Sequence, residues 1–297
     1  MVKNYIFAGI DFIIDDKNEL YFIEANSSPG AFKEYESLYK HCRPIKELCT
    51  YLNKDYKKMA VVTKKRWNGT FIFKEFKKRF HGKIHICYYE KNKNRLLKGN
   101  GSLIDRTKKK IMPDVVLRVS GQPHAQEKAG IKVINPISIL NLTINKIKTK
   151  NIIKKYAKIK VPKAFVVHNR HDTKRILKNN KKLFSKGFVL KPSNGQKSEG
   201  VFVFSSYKKI PKNFRIQRRY LIEELIHSSN LFKKEFFEIR SMAVNGKYAG
   251  AMLFVSPKRP MHLFTEGRAV KIPRSLQYRI KKATEKVVKV LDKHAED

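Results

Sequence analysis

At 297 residues and 41% hydrophobic content, the chain holds enough apolar material for two or three packed subdomains, which excludes the disordered class. A formal charge of +41 calls for an anionic partner (nucleotide, nucleic acid, acidic polymer or membrane surface) and predicts salt-sensitive, non-specific polyanion binding, but the basic residues run along the whole chain and mark no one site. No apolar run approaches membrane-spanning length, no secretory signal precedes Met1, and Cys42, Cys49 and Cys87, without metal-like spacing, read as free thiols of a reducing cytoplasm.

Residues 9–30 read as two apolar strands joined by a polar turn. A turn centred on Lys17 and Asn18 sets Asp11 opposite Glu24. Gly9, Asp11 and Ile13 then share a face with Phe22, Glu24 and Asn26. Two carboxylates facing each other across strands repel, and a hard divalent cation removes that penalty. Oxygen ligands without Cys or His suit Mg²⁺, which completes its shell with water and substrate phosphates. The plainer reading makes both acids solvated charges on an ordinary hairpin, and Asp15 to Asn18 simple turn formers.

Residues 31–58 look like a polar connector with a short helical piece around Ile45 to Leu52. Strands are expected at 59–63, 85–89, 113–119 and 131–134, with helices at 70–80 and 124–130 and a basic loop region at 91–110. That alternation predicts a small, mostly parallel sheet covered on both faces. Beyond the Asn135-Pro136 boundary, a helix is expected over 140–156, a strand over 162–167 and a basic helix over 172–184. Two strands, 188–191 and 201–204, flank a polar loop with two glycines, and 220–226 is a further strand. Residues 237–244 and 248–255 alternate around Asn245-Gly246, a hairpin signal. Residues 275–294 form the clearest amphipathic helix.

Within this frame, Gly195 and Gly200 let backbone approach an anion closely, and Lys191 on the preceding strand supplies a fixed positive charge. No GxxxxGK[ST] is present, so this is no P-loop, and by itself the segment is equally a plain β-hairpin. Glu223 and Glu224 sit in an apolar strand, where one could accept from an exocyclic amine and the other face water. Arg240, two residues from Glu238 and on its face, is either an anion clamp or half of a surface ion pair.

Together these segments resemble the ATP-grasp superfamily, specifically its carboxylate–amine ligases such as glutathione synthetase, D-alanine–D-alanine ligase and the ligases that add glutamate to a ribosomal protein. Residues 59–134 resemble the domain preceding the grasp, and 133–146 the segment ending in a nucleotide-binding lysine, here Lys146. Lys191 matches the second ATP lysine, 193–200 the mobile phosphate loop, 221–226 the adenine-reading strand and 238–240 an Asp-x-Arg motif. Asp11, Glu24 and Asn26, followed by Ser-Ser-Pro-Gly, match the magnesium motif. The resemblance implies a mixed α/β and α+β ATP-grasp fold with a small Rossmann-like pre-grasp domain. The hairpin carrying the magnesium motif is displaced to the N-terminus. The expected division is hairpin 1–30, connector 31–58, pre-ATP-grasp domain 59–135 and ATP-grasp lobes 136–297.

The motif order departs from the family, in which the magnesium motif comes last. The chain is then either a circular permutant, with a connector able to span about 90 Å, or a window cut from tandem grasps. Lys258, Arg259 and Arg268 stand near where related ligases carry an Asn and paired glycines, and are weak candidates for an acidic substrate or plain solvated surface.

The resemblance implies a cytoplasmic, ATP- and Mg²⁺-dependent ligase that makes an acyl phosphate from a small-molecule or peptide carboxylate for attack by an amine. It binds no membrane. Lys146, Lys191, Ser193, Gly195, Gly200, Glu223, Glu224 and Leu225 would hold ATP, and Asp11, Glu24 and Asn26 the metal. Arg240 would stabilise the transferring phosphoryl group. It further implies that Asp11→Ala, Glu24→Ala or Lys191→Ala abolishes turnover while the fold survives. Two alternatives come from other classes: an inactive grasp-fold binder of nucleic acid or polyanions, and a grasp-fold small-molecule kinase.

Overall fold

The computed structural model describes residues 3–28, 30–63, 71–88, 101–119, 124–194, 200–211, 214, 216, 219–227, 236–257 and 267–295. The opening ribbon is β1 (Phe7–Ile14) and β2 (Leu20–Asn26). Its turn is built by Asp15, whose Oδ1 accepts from the backbone N–H of Lys17 at 3.0 Å and Glu19 at 2.7 Å, while Asn18 takes the left-handed conformation at φ 62°. Asp11 pairs with Glu24 and Gly9 with Asn26, as the turn position predicts. Between Asp11 and Phe12 the register slips, so Ile13 faces Tyr21 rather than Phe22. That irregularity lets the apolar half of the ribbon fill the core while its outer half presents oxygens.

The helical piece expected around Ile45 to Leu52 is present, and a second helix that was not expected precedes it in the polar connector. Helices α1 (Phe32–Tyr39) and α2 (Arg43–Leu52) bury Phe32, Tyr35, Ile45, Leu48, Cys49 and Leu52. Their apolar residues recur at helical spacing between exposed charges, a pattern that the polar composition hides. The small sheet follows: β3 (Lys58–Thr63), α3 (Phe71–Arg79), β4 (Lys83–Tyr88), the short ribbon β5 (Leu103–Ile104) and β6 (Lys110–Ile111), β7 (Val115–Arg118), α4 (His124–Lys128) and β8 (Lys132–Ile134). Its order is β4-β3-β7-β8, all parallel, with apolar clusters on both faces. Cys42, Cys49 and Cys87 are free and buried.

The single helix expected over 140–156 is broken. Helix α5 (Ile137–Ile144) ends at Asn145, whose side chain accepts from Lys148 N and caps α6 (Lys146–Ile152); a π turn, Ile153–Ala157, follows. The break re-aims the chain so that Lys146 and Lys150 leave α6 on one side, four residues apart. Next come β9 (Ala164–Val167), α7 (Arg170–Asn179), β10 (Phe188–Pro192), β11 (Phe202–Phe204) and β12 (Tyr220–Glu224). These strands make an antiparallel sheet, β11-β10-β12-β9, over a core of Val167, Phe184, Phe188, Leu190, Phe204, Ile210 and Ile222.

The chain then returns to the opening ribbon. Strands β13 (Phe236–Val244) and β14 (Lys247–Ser256) enclose Asn245 and Gly246, both at positive φ, as the hairpin signal requires. A strand not expected from sequence, β15 (Arg268–Lys271), completes a five-stranded antiparallel sheet, β15-β14-β13-β1-β2. Helix α8 (Arg274–Lys293) covers it with Leu276, Ile280, Ala283, Val287 and Leu291. The ribbon is therefore inserted beside residues 236–244, and Asp11 pairs with Arg240 across that junction.

A second contact ties the start of the chain to α8. The Asp292 carboxylate accepts from the backbone N–H of Lys3 at 2.9 Å, Asn4 at 2.7 Å and Tyr5 at 2.6 Å. Removing one charged acceptor of three amides should cost about 2–3 kcal/mol. Asp292→Ala is thus expected to lower the urea midpoint while leaving the m-value unchanged. An unchanged midpoint would show that the β1–β13 pairing alone fixes the ribbon.

Candidate functional site

Backbone register brings the site together. On the five-stranded sheet, Asp11 of β1 stands between Glu24 of β2 and Arg240 of β13. Asp11 is fully buried, and Arg240 grips it with two hydrogen bonds, Nε to Oδ1 at 2.8 Å and Nη2 to Oδ2 at 2.9 Å. Asn26 Nδ2 donates to Asp11 Oδ2 at 3.0 Å. Glu238 lies 3.7 Å from Arg240. Glu24 takes a hydrogen bond at 2.7 Å from Lys146 of α6. The repulsion expected between Asp11 and Glu24 is thus relieved by two protein cations, one on each acid.

The antiparallel sheet contributes the other half. Lys191 of β10 lies 2.8 Å from Glu223 Oε2 on the neighbouring β12. Lys150 of α6 stands 3.3 Å from Glu223 Oε1 without hydrogen-bond geometry, so Lys150 Nζ and Glu223 Oε1 are buried polar atoms with no hydrogen bond among the described residues. Lys150 was not singled out from the sequence. The available signal was its spacing: it lies one helical turn beyond Lys146, on the same side of α6. Seeing it needed the helix break at Asn145, which periodicity did not show.

Asp11, Glu24, Glu223 and Glu238 therefore confront Lys146, Lys150, Lys191 and Arg240 in a partly buried cluster of four acids and four bases. Burial opposes ionisation at Glu24, but Lys146 and Lys191 overcome it and hold the carboxyl at about 2. Glu238 is pushed up to about 8, by burial first and then by Asp11. Lys150 is drawn down to about 8, chiefly by burial, with Glu223 pulling the other way and Lys191 adding to the fall. Lys191 goes the opposite way: burial lowers it, but Glu223 and Glu24 more than compensate.

Other sequence candidates fall around this cluster. Ser193 is buried, and its N–H donates to Arg219 O at 2.9 Å, just past Lys191. Gly200 has φ +74°, a conformation that favours glycine, at the far end of the proposed phosphate loop. Glu224 turns from the cluster; its Oε2 accepts from Lys163 N at 3.3 Å, and Leu225 follows it out of β12. Arg268 lies at the start of β15, opposite Val255, on the outermost strand of the sheet. Gly195, Lys258 and Arg259 lie outside the described residues.

Among the described residues no three His, Cys, Asp or Glu side chains gather into a metal-binding group. Two carboxylates and an amide, Asp11, Glu24 and Asn26, nevertheless fit a hard dication that draws its remaining ligands from water and phosphate. Among the described residues no helix is long and apolar enough to cross a membrane.

Neither a protein-family model nor a curated protein matches the chain. Solved structures do. A protein described as a candidate gamma-glutamylcysteine synthetase, from Methylobacillus flagellatus, matches all of this chain and 91% of its own at 10% identity and a TM-score of 0.62. The D-alanyl-alanine synthetase A of Vibrio cholerae matches 81% of this chain and 82% of its own at 13% identity, TM-score 0.55. The N5-carboxyaminoimidazole synthetase of Staphylococcus aureus, complexed with ADP, covers 80% of this chain and 64% of its own at 13% identity, TM-score 0.52. The class of structure is now fixed: this chain has the ATP-grasp fold. At these identities the likeness is one of fold.

Proposed function

We propose that the protein is an ATP-dependent ligase that activates a carboxylate as an acyl phosphate and joins it to an amine. The observation that carries the reading is the convergence, from two sheets and α6, of buried lysines with an oxygen set suited to a divalent cation. The fold's synthetase neighbours, one of them complexed with ADP, point the same way.

In this reading Lys150, Lys191 and Lys146 hold phosphate oxygens, as point charges whose length and burial fix them. Ser193 and Gly200 frame the phosphate loop, with Gly195 inside it. Adenine is assigned to Glu223 and the backbone of Glu224 and Leu225. Asp11, Glu24 and Asn26 would hold Mg²⁺, which supplies charge neutralisation on the phosphates when bound. Arg240, anchored by Asp11, stabilises the spreading charge as the bond to the β-phosphate breaks and one to the substrate carboxylate oxygen forms. The amine then attacks the acyl carbon, loses a proton and expels phosphate. Arg268, and Lys258 and Arg259, are assigned to an acidic substrate.

The test is phosphate release from ATP with and without Mg²⁺, over panels of acids and amines, with products weighed. Amide, ADP and phosphate are expected. A phosphorylated acid with no amide would make the protein a kinase. Salt-steep nucleic-acid binding without turnover would make it a binding module.

A pH dependence follows from Lys150. Held near 8 before a ligand arrives, it is charged below that pH and neutral above it. A bound phosphate favours the charged form, so nucleotide affinity should be greatest below pH 8 and fall as pH rises through it. Titration of a fluorescent ADP analogue from pH 6.5 to 9.5 reads this out, and Lys150→Arg should flatten the curve. A pH-independent wild type would remove Lys150 from the phosphate site.

A further inference from the structure

The β5–β6 ribbon hangs on the free side of the parallel sheet. Strand β4 is an outer strand, and such a strand leaves backbone donors and acceptors uncommitted. Arg106 N takes up one of them, donating to Ile86 O at 2.8 Å. The turn of the ribbon is locked by Asp105, whose Oδ1 accepts from Thr107 N at 2.8 Å, Thr107 Oγ1 at 2.6 Å and Lys109 N at 3.2 Å. Its Oδ2 is left to face β4, where His85 Nδ1 stands 3.1 Å away. Between this turn, β4 and α3 lies a cavity of about 160 Å³.

The lining has two characters. Phe73 of α3 and Ile84 of β4 give an apolar wall continuous with the main core. Lys77 of α3, Arg106 and His85 supply fixed or protonatable positive groups. Residues 84 and 85 point to opposite faces of β4, so the two characters meet because the cavity lies at the sheet's edge. One acid, Asp105, stands against the bases. Burial opposes its charge, but hydrogen bonds from Thr107 and His85 outweigh burial and hold the carboxyl at about 2. An ionised carboxylate only accepts, so His85 Nδ1 carries the hydrogen and Nε2 remains for a further partner. With His85 neutral, two cations against one anion leave the lining one positive charge in excess. The ligase cluster, by contrast, is drawn from two other sheets and α6. None of the cavity's residues was singled out from the sequence.

We propose that this cavity binds a compact monocarboxylate with an apolar body, at a site separate from the candidate ligase cluster and independent of the ligase reading. The carboxylate lies between Lys77, Arg106 and His85 Nε2, and the body lies against Phe73 and Ile84. Volume sets the size: an engineered cavity of about 150 Å³ takes up benzene, so a body of one six-membered ring fits. Bare phosphate leaves the apolar wall unmatched, and its second charge exceeds the single positive excess beside Asp105. A neutral analogue forgoes the charge-assisted hydrogen bonds.

Calorimetry on the full chain without nucleotide tests this with benzoate, acetate, benzamide and inorganic phosphate. Benzoate should bind at least about tenfold more tightly than each of the others, acetate lacking the body and benzamide the charge. Lys77→Gln combined with Arg106→Gln removes both fixed cations at exposed positions, where the fold has little to lose, and should erase the preference over benzamide. The ligase reading also calls for a carboxylate, so Lys146→Met is the control for location: benzoate binding should survive it. Equal binding of benzoate and benzamide, or a preference that the combined variant retains, overturns the proposal. Phosphate or acetate binding as tightly as benzoate overturns it too, since the cavity then selects charge without an apolar body. Loss of benzoate binding in Lys146→Met, with the combined variant unaffected, places the ligand in the ligase cluster and ends the proposal.

Discussion

Asp11→Asn should abolish Mg²⁺-dependent phosphate release from ATP, by at least a thousandfold, in a protein that still folds. The argument begins with geometry. Asp11 holds Arg240 through two hydrogen bonds and stands opposite Glu24 with Asn26 against it. Asn keeps the shape and one acceptor oxygen but loses the charge, so both a metal ligand and the anchor of Arg240 are weakened together. Each oriented charge at a transition state is worth about 3–4 kcal/mol, and a thousandfold is about 4. The fold cost is smaller. Arg240 keeps 19% exposure of its side chain, so water takes up part of the unpaired charge and about 1–3 kcal/mol is expected. Asp11→Ala is a harsher change: it opens a void and strips both hydrogen bonds from a mostly buried guanidinium, a loss of about 3–5 kcal/mol. The alanine variant is therefore a poorer reporter of catalysis than the asparagine variant. Activity and thermal midpoint measured on the same preparation separate the two effects. An Asp11→Asn enzyme with a tenth of normal turnover would exclude Asp11 from the metal site.

Lys150→Met should weaken nucleotide binding by at least a hundredfold, and more than Lys146→Met does. Lys150 is the more deeply buried, with side-chain exposure of 4% against 10%. It shares Glu223 with Lys191, whereas Lys146 is occupied with Glu24. Phosphate oxygens brought between Lys150 and Lys191 meet two desolvated charges, where each contact counts for more than at a surface. Methionine fills the same volume, so packing loss stays small. Equal effects from both variants would return the principal role to Lys146.

The sequence carried the fold further than it carried the site. The opening ribbon, the parallel sheet, the Asn245-Gly246 hairpin and α8 follow from periodicity and turn chemistry, which are local. What escaped was tertiary. The helix at 45–52 was legible, but residues 32–39 look polar, and their apolar minority makes a helix by packing on the core. Strand β15 is four residues long and carries charge at both ends, so only pairing with β14 makes it a strand. Asp11, Glu24, Asn26, Lys191, Glu223 and Arg240 were picked as chemistry, and the structure brings them into one cluster. Their partners were not legible: that Arg240 grips Asp11, or that Glu223 lies between two lysines, depends on register across distant strands.

The insertion of the ribbon beside β13 also has a consequence in time. Asp11 and Arg240 are separated by 229 positions. Polypeptide synthesis adds about 5–20 residues per second, so a nascent ribbon waits on the order of 10–50 seconds for the strand that covers its edge. Through that interval a largely apolar hairpin carries an open rim of amides, the surface on which chains mispair and holdases act. Biogenesis of this protein should therefore lean on co-translational chaperoning more than its stability once complete would suggest.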